Sequence, residues 1–524
     1  MILPLHMRLI VVLLLGAAAT TGCTGRSDTS AGSPVRTLTV GLGADRYLTE
    51  IPSRPDLGKY PHNAGVFDTL ARLTEQFEIE PMLAESWTFA PDTGTYCFNL
   101  RKGVRFHDGA EFTADDVKYT FDLIVKAYPE NYQSLGPDSI KVVDAHTVAI
   151  TPTTTNNRLV EQLVHPVWGI NRQHSDPLRP IGTGPFRFVE YARHDRFVVG
   201  RYDDYWNRER RARVDRITFQ FVPDTQARVL GLRAGALDLI SEVAPSVVEE
   251  LEHAGMRAAR SNVGAGDALS FNVHGHAPYL LGADPVIREA LGLALNRQAI
   301  VRGAWRDAAD VSTTWIPPAV LGDHASAVGG PAFDASRAAR LLEADGWHAA
   351  ADGIRRKGNQ RLSLLYLVAF PTTEHQRSPE LIQDQLRRAG IETRIELMSD
   401  AAVSGARRRN GEFDLLQTVV NQNEGYPCFL PDLIYYSRSR SASNRWVSPG
   451  GETDRAIAAC RSAPDMTAAR QYSADAIHQL VDIEHIVVPI AGVRRVWVAQ
   501  GFVQNFQPHP SDTNQRWESV SAVR

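Results

Sequence analysis

The residues best suited to chemistry are scattered along this chain. His274 and His276 alternate in a His-Gly-His run, which on a strand would turn two imidazoles to one face. A metal site needs a third ligand, and spacing marks none, so the pair reads as loop histidines and no metal is expected. Asp115-Asp116 and Asp203-Asp204 are adjacent carboxylates, but neighbouring side chains point in different directions, so they read as a helix start and a turn. His107 and Asp108 precede Gly109, and Asp-Gly is turn chemistry. No G-x-S-x-G elbow, H-E-x-x-H pair, phosphate-binding loop or S-x-x-K motif occurs. Gly41-Leu42-Gly43 lacks the third glycine and the following helix of a dinucleotide fingerprint. No catalytic residue is named, and no cofactor is expected.

One loop stands out because of the elements that must position it. Residues 361–397 read as strand RLSLLYLVAF, helix SPELIQDQLRRAG and strand IETRIEL, with Ser378 as cap, Pro379 at the first turn and Gly390 as stop. A strand, helix and strand of this length form a right-handed crossover with parallel pairing. The next strand, FDLLQTVV (413–420), is predicted to join the same sheet. Asn421 to Tyr426 then lie beyond its carboxyl end, where open α/β sheets hold ligands. Gln422, Asn423, Glu424 and Tyr426 are therefore the candidate ligand residues of this loop.

With 524 residues the chain exceeds one ordinary domain. Hydrophobic residues at 43% and charged residues at 22% are globular values and exclude a disordered or fibrous chain. A net charge of −4 gives no global field to attract nucleic acid, and no nucleic-acid partner is expected. The Arg-rich run NRERRAR (207–213) is interleaved with Glu209 and reads as a solvated face. Residues 9–19, LIVVLLLGAAA, are too short to span a bilayer and follow Arg8, the layout of a secretory signal. The run ends in Thr20-Thr21-Gly22-Cys23, which resembles a bacterial lipobox with Cys23 as the lipidated residue, although Thr20 stands where Leu is usual. Cleavage by a general signal peptidase is the alternative. Residues 24–35 have tether composition. Export would leave Cys97, Cys428 and Cys460 in an oxidising compartment, where one pair could bridge. Cys428 and Cys460 are the nearest pair in sequence.

The remaining elements follow from periodicity. GVFDTLARL (65–73) reads as helical. SWTFA and TYCFNL form a hairpin about Pro91-Asp92-Thr93-Gly94, and Thr113 caps a helix with Val117, Phe121, Ile124, Val125 and Tyr128 on one face. Asp284-Pro285 opens another helix.

The blocks PMLAESW, FNLRKGVRFHDG with TADDVKYTFDLI, GTGPFRF, DDYW, VPDTQARVLGLRAGALDL, DPVIREALGLALNR and LLEADGW resemble, in order and spacing, the family 5 extracellular solute-binding proteins of ABC importers. This group contains oligopeptide-, dipeptide- and nickel-binding receptors, and the resemblance covers residues 36–505. It implies an α/β, two-lobed periplasmic-binding-protein-like fold of type II, the large class with an extra domain in the first lobe and the ligand cleft between lobes. By that analogy residues 36–266 and 490–524 form the first lobe, with the extra domain at about 66–180. Residues 267–489 form the second, and the chain crosses near 267–272 and 484–489. The implied partners are a peptide ligand and the permease and ATPase subunits of an importer. A monomer attached outside the membrane by a lipid anchor, or periplasmic where an outer membrane exists, is expected. Peptide-binding relatives hold the ligand's amino group with an Asp in a loop resembling W-x-x-D-Y-P-D-P. Here the Trp is absent and the acid is Glu424, followed by Tyr426 and Pro427. Asn272, after Phe271 on the strand entering the second lobe, would bond the ligand backbone or else fasten the hinge, and with Tyr128 and Asp56, in segments that contribute to the cleft of relatives, it completes the expected ligand set. A receptor for a nickel chelate, sugar or other small solute is the alternative. A secreted hydrolase on a similar scaffold would require a nucleophile and base converging in the cleft.

Overall fold

Alternation of apolar and polar residues in Thr37–Leu42 buries Leu38 and Val40 on one face, as a half-covered strand requires. This is β1 of an eleven-stranded mixed sheet. The computed structural model describes residues 36–43, 64–127, 135–136, 138–153, 158–176, 179–369, 377–439, 448–511 and 513–523. In chain order the other strands are β2 (Phe186–Ala192), β3 (Arg196–Arg201), β4 (Arg216–Phe221), β5 (Leu239–Ser241) and β6 (Arg257–Phe271). They are followed by β7 (Ala309–Val311), β8 (Ser363–Ala369), β9 (Glu392–Met398), β10 (Leu415–Asn421) and β11 (Val487–Ala499). Across the sheet they stand in the order β9-β8-β10-β6-β11-β5-β1-β4-β3-β2, with β7 added to β11.

The two long strands organise the molecule. β6 begins beside β11, Arg257 opposite Ala499, and from Ala265 onward it also pairs β10, Ala265 opposite Asn421. Its register with β11 slips between Arg260 and Val263, between Val263 and Ala265, and between Asp267 and Ala268. Slips of this kind bend a strand and increase its twist. One ribbon thus carries two sub-sheets: β2, β3, β4, β1 and β5 at its outer part, and β10, β8 and β9 at its inner part. The result is a two-lobed α/β fold. Residues 266/267 and 489/490 fall within or beside the slipped stretch.

Each sub-sheet is covered on its faces. Leu38, Phe219, Trp497 and Trp517 fill one side of the first, while Leu232 and Leu251 of helices Thr225–Arg233 and Pro245–His253 cover the other. Helix Pro285–Ala294, whose cap Asp284 accepts from Val286 N, places Ile287 and Leu291 in the second-lobe core. A four-stranded sheet ordered 84–90, 95–100, 147–150, 140–144 backs helix Ala114–Ala127. Its cluster of Phe98, Phe121 and Trp168 is continuous with Trp315, Tyr435 and Ile477 of the second lobe. Residues Arg36–Arg524 form one compact unit.

Four expectations resolve at this level. The hairpin and the crossover are present, with β8 parallel to both β9 and β10. GVFDTLARL is not a helix: its described residues turn and run extended into a short strand, Ala71–Leu73. The reason is Asp68, which is buried where its Oδ1 accepts from Tyr205 OH (3.2 Å) and its Oδ2 from Trp206 Nε1 (2.9 Å) and Thr183 Oγ1 (3.1 Å). A helix could not deliver that carboxylate and also let Gly184 N bond Val66 O at 3.0 Å. The GTGPFRF and DDYW blocks therefore meet on one aspartate, as scaffold. Ser378 is not a cap either, because the helix already includes Arg377 and the Ser378 hydroxyl turns inward to Asp267 Oδ2 (3.4 Å).

Candidate functional site

β10 ends at Asn421, and the residues after it are held at both ends. Gln422 N donates to Gly264 O of β6 (3.0 Å). The fully buried Gln422 side chain donates through Nε2 to Glu424 O (2.6 Å) and Tyr426 O (3.2 Å). These two carbonyls fix the amide orientation, so Oε1 faces the other way, buried and without a hydrogen-bond partner. At the far end Tyr426 OH donates to Cys460 O (2.9 Å), Ser473 Oγ donates to Pro427 O (2.8 Å), and Cys428 is disulfide-bonded to Cys460 with Cα atoms 5.8 Å apart. Cys97 is the free cysteine among the described residues.

Between these anchors the loop meets elements of the first lobe. Asn423 Oδ1 accepts from Ser511 Oγ (3.4 Å). At Gly425 a Cβ would lie 3.0 Å from Leu73 Cδ1 and 3.1 Å from Phe77 O, so the absence of a side chain permits the approach. The loop around Ser511 is internally bonded: Ser511 N donates to His509 Nδ1 (3.0 Å), and Asn514 Nδ2 donates to Ser511 Oγ (3.0 Å). Beside Tyr426, the buried Arg158 donates to Ala463 O (3.2 Å) and lies 3.8 Å from Glu161.

Glu424 is the electrostatic anomaly. Its Oε2 is shielded from solvent and has no hydrogen-bond partner. Burial alone pushes its carboxyl up to about 8, the direction expected for a desolvated acid with no compensating cation. Two other buried acids differ. Asp68 and Asp267 are each raised to about 6 by burial, but their oxygens are occupied, Asp267 by Gln417 Nε2 at 2.8 and 3.0 Å. They are structural.

Gln422, Asn423, Glu424 and Tyr426 are thus together on one loop. Asn272, expected with them, stands at the opposite end of β10: its amide donates to Gly411 O and Phe413 O, both at 2.9 Å, and fastens the strand end. Tyr128, Asp56 and Cys23 lie outside the described residues. His107 bonds the backbone at Gly184 O (3.0 Å) and Gly182 N (3.3 Å). Among the described residues no group of three His, Cys, Asp or Glu could hold a metal, and no helix is long and apolar enough to cross a membrane. Sequence reasoning missed Ser511, Asn514, Arg158 and Glu161. A polar Pro-Ser-Asp-Thr-Asn turn signals a loop, but only the topology brings it against residue 423.

A ribbon of two strands shared by two lobes, with an anchored loop at their junction, defines the two-lobed binding-protein class. The particular family follows from comparison: residues 78–442 match the family model described as bacterial extracellular solute-binding proteins, family 5 Middle, and the chain belongs to this family. A Di/tripeptide-binding protein 1 of Pseudomonas aeruginosa is 29% identical over 316 residues, 52% of this chain and 57% of that protein. Heme-binding protein A of Haemophilus influenzae is 29% identical over 334 residues, 55% and 58% of the two chains. The matches therefore span a little over half the length of these curated relatives. NikA from Brucella suis in complex with Fe(III)-EDTA shares the fold at a TM-score of 0.81 with 23% identity, over 93% of this chain and 100% of that one. DppA from Helicobacter pylori in complex with the peptide STSA gives 0.71 with 21% identity, over 93% and 98%.

Proposed function

We propose that this chain is the receptor of an ABC importer, a lipoprotein anchored at Cys23 that captures di- or oligopeptides outside the membrane and passes them to a permease driven by ATPase subunits. It acts as a monomer that binds and releases, without catalysis. The observation that carries the ligand class is the shielded, unpartnered Oε2 of Glu424, two residues from the equally unpartnered Oε1 of Gln422. A buried acceptor left unsatisfied costs about 1–3 kcal/mol. A peptide's terminal ammonium supplies several N–H donors and a compensating charge. A relative named as a di/tripeptide-binding protein supports the same class. Main-chain hydrogen bonds from Asn423 and its neighbours would add affinity without demanding one sequence.

The test is thermal unfolding of ligand-stripped protein against short peptides, nickel with and without small chelators, and sugars. A ligand at a hundred times its Kd adds about 2.7 kcal/mol, a readable rise in Tm. A rise with peptides is expected. A rise only with a chelate or sugar would keep the receptor and overturn the ligand.

A further inference from the structure

The end of the first-lobe sheet farthest from Glu424 carries a concentration of positive charge. β1 and β4 are parallel with Thr37 opposite Arg216, so Arg36 and Arg216 share one end of the sheet. The antiparallel β3 finishes there at Arg201, and β2 starts there, with Phe186 opposite Arg201 and Arg187 opposite Gly200. Residues 202–215 connect β3 to β4 over the same end. Arg187, Arg208, Arg211, Arg213 and Arg216 are exposed, and no ion pair engages them among the described residues. Arg36 and Arg201 share Asp215, Arg201 also holds Asp203, and Arg210 turns to Glu80 at 2.9 Å. Only Glu209 and Asp204 remain exposed against the five free guanidiniums.

The ladder gives the distance to the site. Val40 is level with Leu239, Ala499 and Arg257, while the loop containing Glu424 is hydrogen-bonded to β6 at Gly264. From Thr37 to that level is roughly 30 Å along the strands. Arg36, the first described residue, donates its N–H to Asp215 Oδ2 at 2.7 Å, so the described chain begins at this end. Cys23 is upstream of it by a span that reaches at most about 45 Å when extended.

We propose that this arginine face seats on an anionic phospholipid surface. The occupant is set by charge and by the place where the described chain begins, with Cys23 a short span upstream in sequence. Each arginine near an anionic surface strengthens partition about fivefold, and salt screens the effect. The inference goes beyond the ligand reading and does not depend on it.

The test uses residues 24–524, since 36–524 form a compact unit with their own cores, and removes the apolar leader as a route to the membrane. Vesicles of phosphatidylcholine alone, or mixed with phosphatidylglycerol, are sedimented with the protein at low salt and at ~0.5 M salt. The expected result is co-sedimentation with the anionic vesicles only, reversed by salt. The combined change Arg208→Gln, Arg211→Gln, Arg213→Gln and Arg216→Gln should weaken it by about a hundredfold or more with Tm unchanged. Arg187→Gln with Arg216→Gln is the milder variant should the fourfold one fold poorly. Equal sedimentation with both vesicle types, none with either, or binding that survives both variants would overturn the proposal. So would binding to an acidic protein surface with the vesicles ignored.

Discussion

At the scale of the residue, the account turns on one carboxyl group. A carboxyl raised by burial holds its proton more tightly in the folded chain than in the unfolded one. The stability it contributes is full below the ordinary carboxylate range and is lost as pH rises through the folded value. For Glu424 that loss is nearly complete by about 8, and for Asp68 and Asp267 by about 6. Between about pH 6 and 8 the Tm of the unliganded protein should therefore fall, and that of Glu424→Gln should fall less; parallel curves would show that Glu424 is not buried in solution. Binding of an ammonium reverses the shift by favouring the charged acid. Capture of a free-amino peptide near neutral pH should thus release a proton, seen as a binding enthalpy that changes with the ionisation enthalpy of the buffer. Sequence alone picked out Glu424 from its place after a strand. It could not reveal the missing hydrogen-bond partner, because that depends on Gln422 spending its amide on the backbone.

At the scale of the element, much of the scaffold was legible and its exceptions share a cause. The hairpin, the helix after Thr113 and the crossover from β8 to β9 follow from local pattern, and all are present. Residues 65–73 and Ser378 departed from local preference because each supplies a buried polar contact to a distant segment. Helical periodicity carries no information about such partners. Asp68→Ala should therefore strand the donors of Tyr205, Trp206 and Thr183 and destabilise the protein by about 3 kcal/mol or more, measured by denaturant unfolding. Removing the disulfide by Cys428→Ser with Cys460→Ser should cost about 2–4 kcal/mol and also loosen the wall behind Tyr426. A loss of stability with peptide affinity untouched would separate that bridge from the site.

At the scale of the whole molecule, the two lobes share a single ribbon, and relative motion is expected to concentrate where β6 and β11 slip register, from Arg260 to Ala268. The family blocks made this architecture legible, yet those that meet on Asp68 build the first lobe and say nothing of ligand. The loop that differs from the peptide-binding pattern, with Glu424 in place of Asp and no Trp, is the part to which the proposed function assigns specificity. Ligand closing the lobes should lower the radius of gyration in X-ray scattering, and Gly425→Val, which sets bulk against Leu73 and Phe77 O, should prevent that compaction. The central claim is tested most directly by calorimetric titration of one tripeptide, free and N-acetylated, into the wild-type chain and into Glu424→Gln. A charge-assisted bond to the amino terminus should favour the free peptide by roughly tenfold to a hundredfold in the wild type, and the substitution should erase the difference. Equal affinities for the two peptides in the wild type, or a preference that survives Glu424→Gln, would contradict the account.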